Sequence, residues 1–235
     1  MTGGLFVTGT DTGVGKTTVG RGLARLALRA GRRPIPFKPV ETGCIDSDPA
    51  DARLLWEAAG HPIPLARVCP YPLALPAAPA AAAASAGITL LLDELAAAAR
   101  AAAESGNWLL VEGAGGLLVP YAGSETAADL AARLGLPVLV VGRTALGTVN
   151  HCALTVRELE RRGLRRAGLI LVRAAGPTGP HEATNDALIE AASGVRPDGT
   201  LPYLGAIGAG IEGADRVADE LARAIGPALL SRLLG

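Results

Sequence analysis

Short apolar runs alternate with longer stretches of helical periodicity along most of the chain, the pattern of a mostly parallel sheet covered by helices on both faces. The apolar runs predict strands at 5–8, near 35–38, and at 108–112, 138–142 and 169–173. Helical spacing predicts helices at 17–30, 51–59, 91–105, 126–134, 148–162 and 182–192. No long linker divides these elements, so residues 1–235 read as a single α/β domain. The Pro- and Ala-rich stretch 70–87 interrupts the alternation and reads as a surface connection. Near the end, Leu221, Ile225, Leu229 and Leu233 fall on one helical face, while Arg216, Asp219, Glu220 and Arg223 balance in charge. A membrane-surface helix would crowd its polar face with cations, so this face is expected to pack on the sheet or on a partner subunit.

Composition narrows the class. The chain is 49% hydrophobic and 19% charged, the balance of a soluble globular protein with a real core. Basic and acidic residues cancel at 22 each, which leaves no sequence-wide cationic field to draw nucleic acid or an anionic membrane. No apolar run is long enough to span a bilayer, and the first residues lack the features of a signal peptide, so a cytoplasmic protein is expected. Cys44, Cys69 and Cys152 lie far apart and form no metal-ligand spacing, which fits reduced thiols. Among the cations only Lys16 and Lys38 are lysine and the other twenty are arginine. In a chain that uses Arg wherever a generic cation serves, these two positions stand out as places that need a compact ammonium.

Lys16 belongs to Gly9-Thr10-Asp11-Thr12-Gly13-Val14-Gly15-Lys16-Thr17-Thr18, between a predicted strand and a predicted helix. That is the context of a phosphate-binding loop: glycines let the backbone wrap with its N–H groups inward, and the helix N-terminus adds positive potential. Lys16 can reach the β and γ phosphates of a nucleotide, and the Thr17 hydroxyl can ligate Mg²⁺. The match is a variant, with Gly9 one residue ahead of the usual first glycine and Thr10 in its place.

Two more signals stand at strand ends, where ligands of open α/β sheets sit. Glu112, in Leu109-Leu110-Val111-Glu112-Gly113-Ala114-Gly115-Gly116, ends an apolar run and precedes a Gly-rich turn that permits close approach of a ligand. It is placed to face the Mg²⁺. Lys38, in Phe37-Lys38-Pro39-Val40-Glu41-Thr42-Gly43, offers a second ammonium toward the same crevice.

Taken together, TGTDTGVGKT, FKPVETG, LLVEGAGG and GTVNH, in this order and spacing, closely resemble dethiobiotin synthetase, with the resemblance running from Leu5 to about Val172. That family closes a cyclic urea on 7,8-diaminononanoate with CO₂ and ATP. The resemblance implies a P-loop NTPase-like fold, Mg²⁺ and a homodimer with sites at the subunit interface. It implies that Lys16 and the backbone of Gly13, Val14, Gly15, Thr17 and Thr18 hold the ATP phosphates. Thr17, Asp51 and Glu112 would surround Mg²⁺, although Asp46 and Asp48 lie close enough in sequence to compete with Asp51. Lys38 matches the family's catalytic lysine, and Thr12 and Thr42 its substrate-contacting hydroxyls. Asn150 and the Gly115 turn would receive the diamine's carboxylate across the dimer. Gly113, Ala114, Arg173 and Pro202 would border the nucleotide.

The chain also departs from the family pattern. Gly13 stands where many relatives have Glu, and Arg173-Ala174 replaces the Asn-Asp that reads the adenine edge, so a relaxed choice of base is expected. In the implied reaction a carbamate anion attacks a γ-phosphate. With one charge near about two at ~4 Å and an effective dielectric of ~20, the repulsion is about 8 kcal/mol. Two ammonium groups and a divalent ion reverse that local field, so no activated Ser, Cys or His is needed. His151 is expected to cap or pack, and Cys152 to be a small buried residue. Two other P-loop classes fit less well. Amidoligases of the cobyrinate-diamide type carry a glutaminase domain for which the chain is too short. Partitioning or division-site ATPase switches carry a signature lysine where Asp11 stands.

Overall fold

The computed structural model describes residues 3–103, 107–174, 179–180 and 182–235. In chain order the elements are β1 (Gly3–Gly9), α1 (Lys16–Arg29), β2 (Pro34–Phe37), β3 (Val40–Thr42), α2 (Ala50–Ala58), α3 (Leu65–Val68), β4 (Tyr71–Leu73), α4 (Pro79–Ser85) and α5 (Leu92–Ala102). They continue with β5 (Trp108–Gly116), β6 (Pro120–Ala122), β7 (Glu125–Thr126), α6 (Ala127–Leu134), β8 (Val138–Arg143), α7 (Thr148–Arg161), β9 (Arg166–Val172), α8 (Glu182–Ser193), β10 (Gly199–Leu201) and α9 (Gly210–Leu234).

Six strands form one sheet in the order β10-β9-β8-β1-β5-β2, and all of its pairings are parallel. Parallel strands need crossover helices, and those helices bury both faces of the sheet. Successive residues of β1 therefore go to opposite cores: Leu5 and Val7 pack with α1 and α9, Phe6 with α5, α6 and α7. This explains why the strands read as continuous apolar runs rather than alternating ones.

The predicted central strands and helices are present, with ends that differ by at most four residues, the largest at β5, which runs on to Gly116. The predicted helix 91–105 is α5, which starts at Leu92 and closes at Ala102, while 104–106 lie outside the described residues. The largest correction concerns 70–87. Far from being only a surface connection, it contains β4, which pairs with β3 in a small parallel sheet, and α4, entered through Pro79 at its first turn. The tail helix does pack on the sheet: Leu221, Ile225, Leu229 and Leu233 join the core on the α1 side. It bends where Gly226 leaves helical geometry ahead of Pro227.

Candidate functional site

The strand order β1-β5-β2 sets three carboxyl ends side by side. The first feeds the phosphate-binding loop, the second carries Glu112 and the third delivers Lys38. Register aligns them: Val7 pairs with Glu112, and Phe37 with Val111, so the residue after Phe37 comes level with Glu112. Lys38 is fixed at its backbone by donating its N–H to Val68 O at 2.8 Å.

The loop between β1 and α1 closes into a tight wrap. Gly15 caps α1 in left-handed geometry, with φ 97°. The Lys16 ammonium curls back to donate to Asp11 O at 3.0 Å. Gly9 is the residue that must lack a side chain here: a Cβ would stand 2.6 Å from Asp11 O and 2.9 Å from Lys16 Nζ. That explains the variant spacing, because the close approach falls at position 9. Thr10 meets no such wall, and its methyl faces Gly142.

Glu112 is the hub. The Thr17 hydroxyl donates to Glu112 Oε1 at 2.8 Å, and the Lys38 ammonium donates to the same oxygen at 2.5 Å. Lys38 also donates to Asp51 Oδ2 at 3.1 Å, from the first turn of α2. Glu112 Oε2 is buried and has no partner among the described residues. Gly20, one turn into α1, makes room for it: a Cβ there would stand 3.3 Å from Oε2 and 2.7 Å from Leu55 Cδ2.

Burial alone would drive the proton off Lys38, but Glu112 and then Asp51 outweigh it and raise its pKa above the ordinary lysine value. Lys38 therefore stays charged. Lys16 goes the other way, its pKa lowered by burial and by the positive charge of Lys38 against the pull of Glu112.

Apart from Glu112, which is wholly buried, these groups border one cleft of about 660 Å³, to which Thr12, Gly13, Gly15, Lys16, Thr17, Thr18, Lys38, Thr42, Asp51, Ala114 and Gly115 all contribute. Its apolar wall is 76–79, from the stretch whose composition reads as a bland connection, together with Val119. The rival acidic residues lie apart: Asp48 is paired with Arg53, and Asp46 sits in a turn with φ 49°. Val14 is buried beneath the loop and Gly113 packs against Phe6.

Three further predicted residues, Asn150, Arg173 and Pro202, do not line the cleft within one chain. Asn150 lies on a separate groove of about 530 Å³ between α7 and α8. Arg173 follows β9, donating its backbone N–H to Leu201 O at 3.0 Å and its Nε to Glu182 at the same distance. Pro202 follows β10. Both stand near the loop, since a Cβ on Gly15 would touch Val172. Cys152 is buried, with Thr148 Oγ1 3.4 Å from its Sγ.

No group of three or more His, Cys, Asp or Glu side chains among the described residues is arranged as a metal cage. Two carboxylates and a hydroxyl beside a phosphate loop are what Mg²⁺ uses instead, since it retains waters and takes further oxygens from phosphate. The Glu112 carboxylate, whose Oε1 already accepts from the Thr17 hydroxyl and whose Oε2 has no partner among the described residues, has the acceptor capacity for that need.

The family model described as AAA domain matches residues 3–209. A protein of Anaeromyxobacter dehalogenans (strain 2CP-C) named ATP-dependent dethiobiotin synthetase BioD is 52% identical over 200 residues, covering 85% of this chain and 90% of its own. One of the same name from Bacillus cereus (strain B4264) is 38% identical over 201 residues, covering 85% and 83%. Among solved structures, the MinD cell division protein of Aquifex aeolicus superposes with a TM-score of 0.54 at 14% identity, over 99% of this chain and 94% of that one. The MinC:MinD complex of the same organism gives 0.55 at 15% identity, over 94% and 95%. At those identities the likeness shows the fold alone.

Proposed function

The chain belongs to the AAA-domain family and to the ATP-dependent dethiobiotin synthetases, and from that premise we propose that it closes the cyclic urea of dethiobiotin on 7,8-diaminononanoate, forming C–N bonds with CO₂ at the expense of ATP in biotin biosynthesis. One observation carries the reading: the two lysines of the chain border one cleft, and the second is held between Glu112 and Asp51 beside the phosphate loop.

In this reading an amine of the diamine adds CO₂ to give a carbamate, the carbamate oxygen attacks the γ-phosphate of ATP, and the second amine displaces phosphate to close the ring. Lys16 and the loop amides hold the transferring phosphate. Lys38 lies where the carbamate and the phosphate meet, and it offsets the charge of both. Thr12, Thr42 and the Gly115 turn orient the diamine, whose alkyl chain runs along the apolar wall of 76–79 and Val119. Thr17, Asp51 and Glu112 would hold Mg²⁺, which when bound neutralises the phosphate oxygens and polarises the phosphoryl group. Water is kept from the reacting groups by their depth, since Lys38 and Glu112 side chains are 4% and 1% exposed.

A homodimer completes the site. Asn150 sits away from its own chain's cleft, on a groove bordered by Leu146 and Leu154, which are 84% and 60% exposed. Leucines so exposed beside a polar residue suit burial against a second copy, where Asn150 reaches the partner's diamine. No helix among the described residues is long and apolar enough to cross a membrane, and we place the enzyme in the cytoplasm.

The test is ATP hydrolysis with diaminononanoate and bicarbonate, compared with DNA or lipid vesicles, and mass spectrometry of the product. Dethiobiotin formed in step with ADP is expected. Turnover stimulated only by DNA or lipid would replace this reading with that of an ATPase switch.

A further inference from the structure

Glu41 lies in β3, a three-residue strand between Lys38 and the loop that leads to α2. It is a buried acid, 7% exposed, and it borders the cleft. Its two oxygens are both engaged, and with consecutive backbone groups: Asp51 N donates to Oε1 and Ala52 N to Oε2, each at 2.9 Å. These are the second and third residues of α2, whose N–H groups have no intrahelical acceptor. The helix lacks a cap of its own, because the residue in the capping position is Pro49 and no side chain there bonds the first turn. Glu41 thus caps α2 from another element, with its negative charge at the positive end of the helix.

Asp51 is thereby held at two points. Glu41 fixes its backbone and Lys38 meets its carboxylate at 3.1 Å. The backbone anchor matters because the Asp51 side chain is 47% exposed and the approach to α2 is irregular, with Asp46 and Ser47 at φ 49° and 60°. Packing alone does not orient a carboxylate that open to solvent. We propose that Glu41 is a positioning residue for metal–nucleotide binding, acting through Asp51 by locking the first turn of α2 to β3. The proposal rests on the reading of Asp51 as a Mg²⁺ ligand. Glu41 itself is not assigned to the metal or to proton transfer, since each of its oxygens already accepts a backbone N–H.

The test uses the full chain and Mn²⁺ as a paramagnetic probe, titrated in the presence of a non-hydrolysable ATP analogue and without diamine. Glu41→Gln keeps one acceptor and turns an amide N–H₂ toward the other backbone donor. It is expected to weaken Mn²⁺ binding about tenfold, and in turnover assays to raise the Mg²⁺ needed for half-maximal rate while leaving KM for the diamine within twofold. Combined with Asp51→Asn, it should weaken Mn²⁺ no further than Asp51→Asn alone. Pro49→Ser gives α2 its own cap but no tie to β3, so in the Glu41→Gln background it should restore stability without restoring Mn²⁺ binding, and it keeps the test open if Glu41→Gln folds poorly. Wild-type binding in Glu41→Gln or in Asp51→Asn, multiplying effects in the double variant, or full recovery of Mn²⁺ binding on adding Pro49→Ser, which would make Glu41 a helix cap and nothing more, would each overturn the proposal. Because the titration contains no diamine, a wild-type protein that binds Mn²⁺–nucleotide but makes no dethiobiotin would sink the proposed reaction and leave this result standing.

Discussion

The Lys38 ammonium lies 2.5 Å from Glu112 Oε1, and both side chains are almost wholly withdrawn from water. A buried pair of this kind is costly to break from one side, because the surviving charge is left without compensation, about 3–5 kcal/mol in comparable cases. Glu112 is the anchor here, and Lys38 is the positive charge that it holds at the edge of the cleft, where a reacting anion can use it.

Replacing Lys38 by Gln retains a donor for Glu112 and removes the positive charge. We expect turnover to fall by about three orders of magnitude or more, in the range of losing a strong electrostatic contact to the transition state, while nucleotide affinity changes little. Lys38→Met should in addition unfold at lower denaturant concentration, because the Thr17 hydroxyl alone is then left to answer the buried carboxylate, with no charge to offset it. Near-normal kcat in Lys38→Gln would remove the ammonium from the mechanism.

Gly20 supplies a second, purely steric prediction. The Cβ of Gly20→Ala would crowd Leu55 Cδ2 at 2.7 Å and Glu112 Oε2 at 3.3 Å. Overpacking of this size costs about 1–3 kcal/mol, offset in part by about 1 kcal/mol of improved helix propensity. Trimming the neighbour with Leu55→Val should restore most of the stability in urea titrations. It should leave turnover depressed, because the crowding of Glu112 remains. Recovery of both together would show that only packing against Leu55 had mattered.

The fold was legible because two-faced burial makes central strands read as apolar runs and covering helices as periodic ones. Lys16, Thr17, Lys38 and Glu112 stood at the ends of such runs, so strand order alone brings them together. β3, β4 and β10 escaped because each has three residues and pairs on one side only, too short for a period to show. The cleft wall at 76–79 was hidden by a composition that matches the rest of the chain. Glu41 carried one faint signal, a helix start at Pro49 with no capping side chain, which asks for a cap from elsewhere. Gly20 carried none, since its role depends on Leu55 and Glu112 arriving from distant elements.

Burial also writes a pH dependence into the structure. The Cys69 thiol is pushed up to about 12 by burial, with Glu41 adding to the shift, and the Tyr121 phenol is likewise pushed up to about 12 by burial. Both groups hold their protons more tightly folded than unfolded. Their stabilisation is complete below the unfolded pKa values, 9.0 for the thiol and 10.0 for the phenol, and is lost as pH rises toward 12. Lys38, with its raised pKa, works in the same direction, and Lys16, with a lowered one, opposes them. Urea midpoints should therefore fall between pH 8 and pH 10, by about 1 kcal/mol from Cys69. Cys69→Ala should flatten that first part of the slope, and an unchanged slope in the variant would assign it to another group.

Arg173 bears on the choice of nucleotide. Its guanidinium is directed to Glu182 at 3.0 Å, and Glu182 in turn accepts the N–H of Gly179 at 3.1 Å, so the side chain is committed to holding the start of α8. A cation fixed in that way does not present the paired donor and acceptor that an adenine edge requires, and Ala174 beside it offers no side-chain hydrogen bond at all. Discrimination by a site that leaves no polar group of its own unpaired is weak, because the wrong base costs little. We expect kcat/KM for ATP, CTP and GTP to fall within about tenfold of one another. Converting positions 173 and 174 together with Arg173→Asn and Ala174→Asp should sharpen the preference for ATP, with KM for the diamine unchanged. A wild-type preference for ATP beyond a hundredfold would mean that another part of the nucleotide side reads the base.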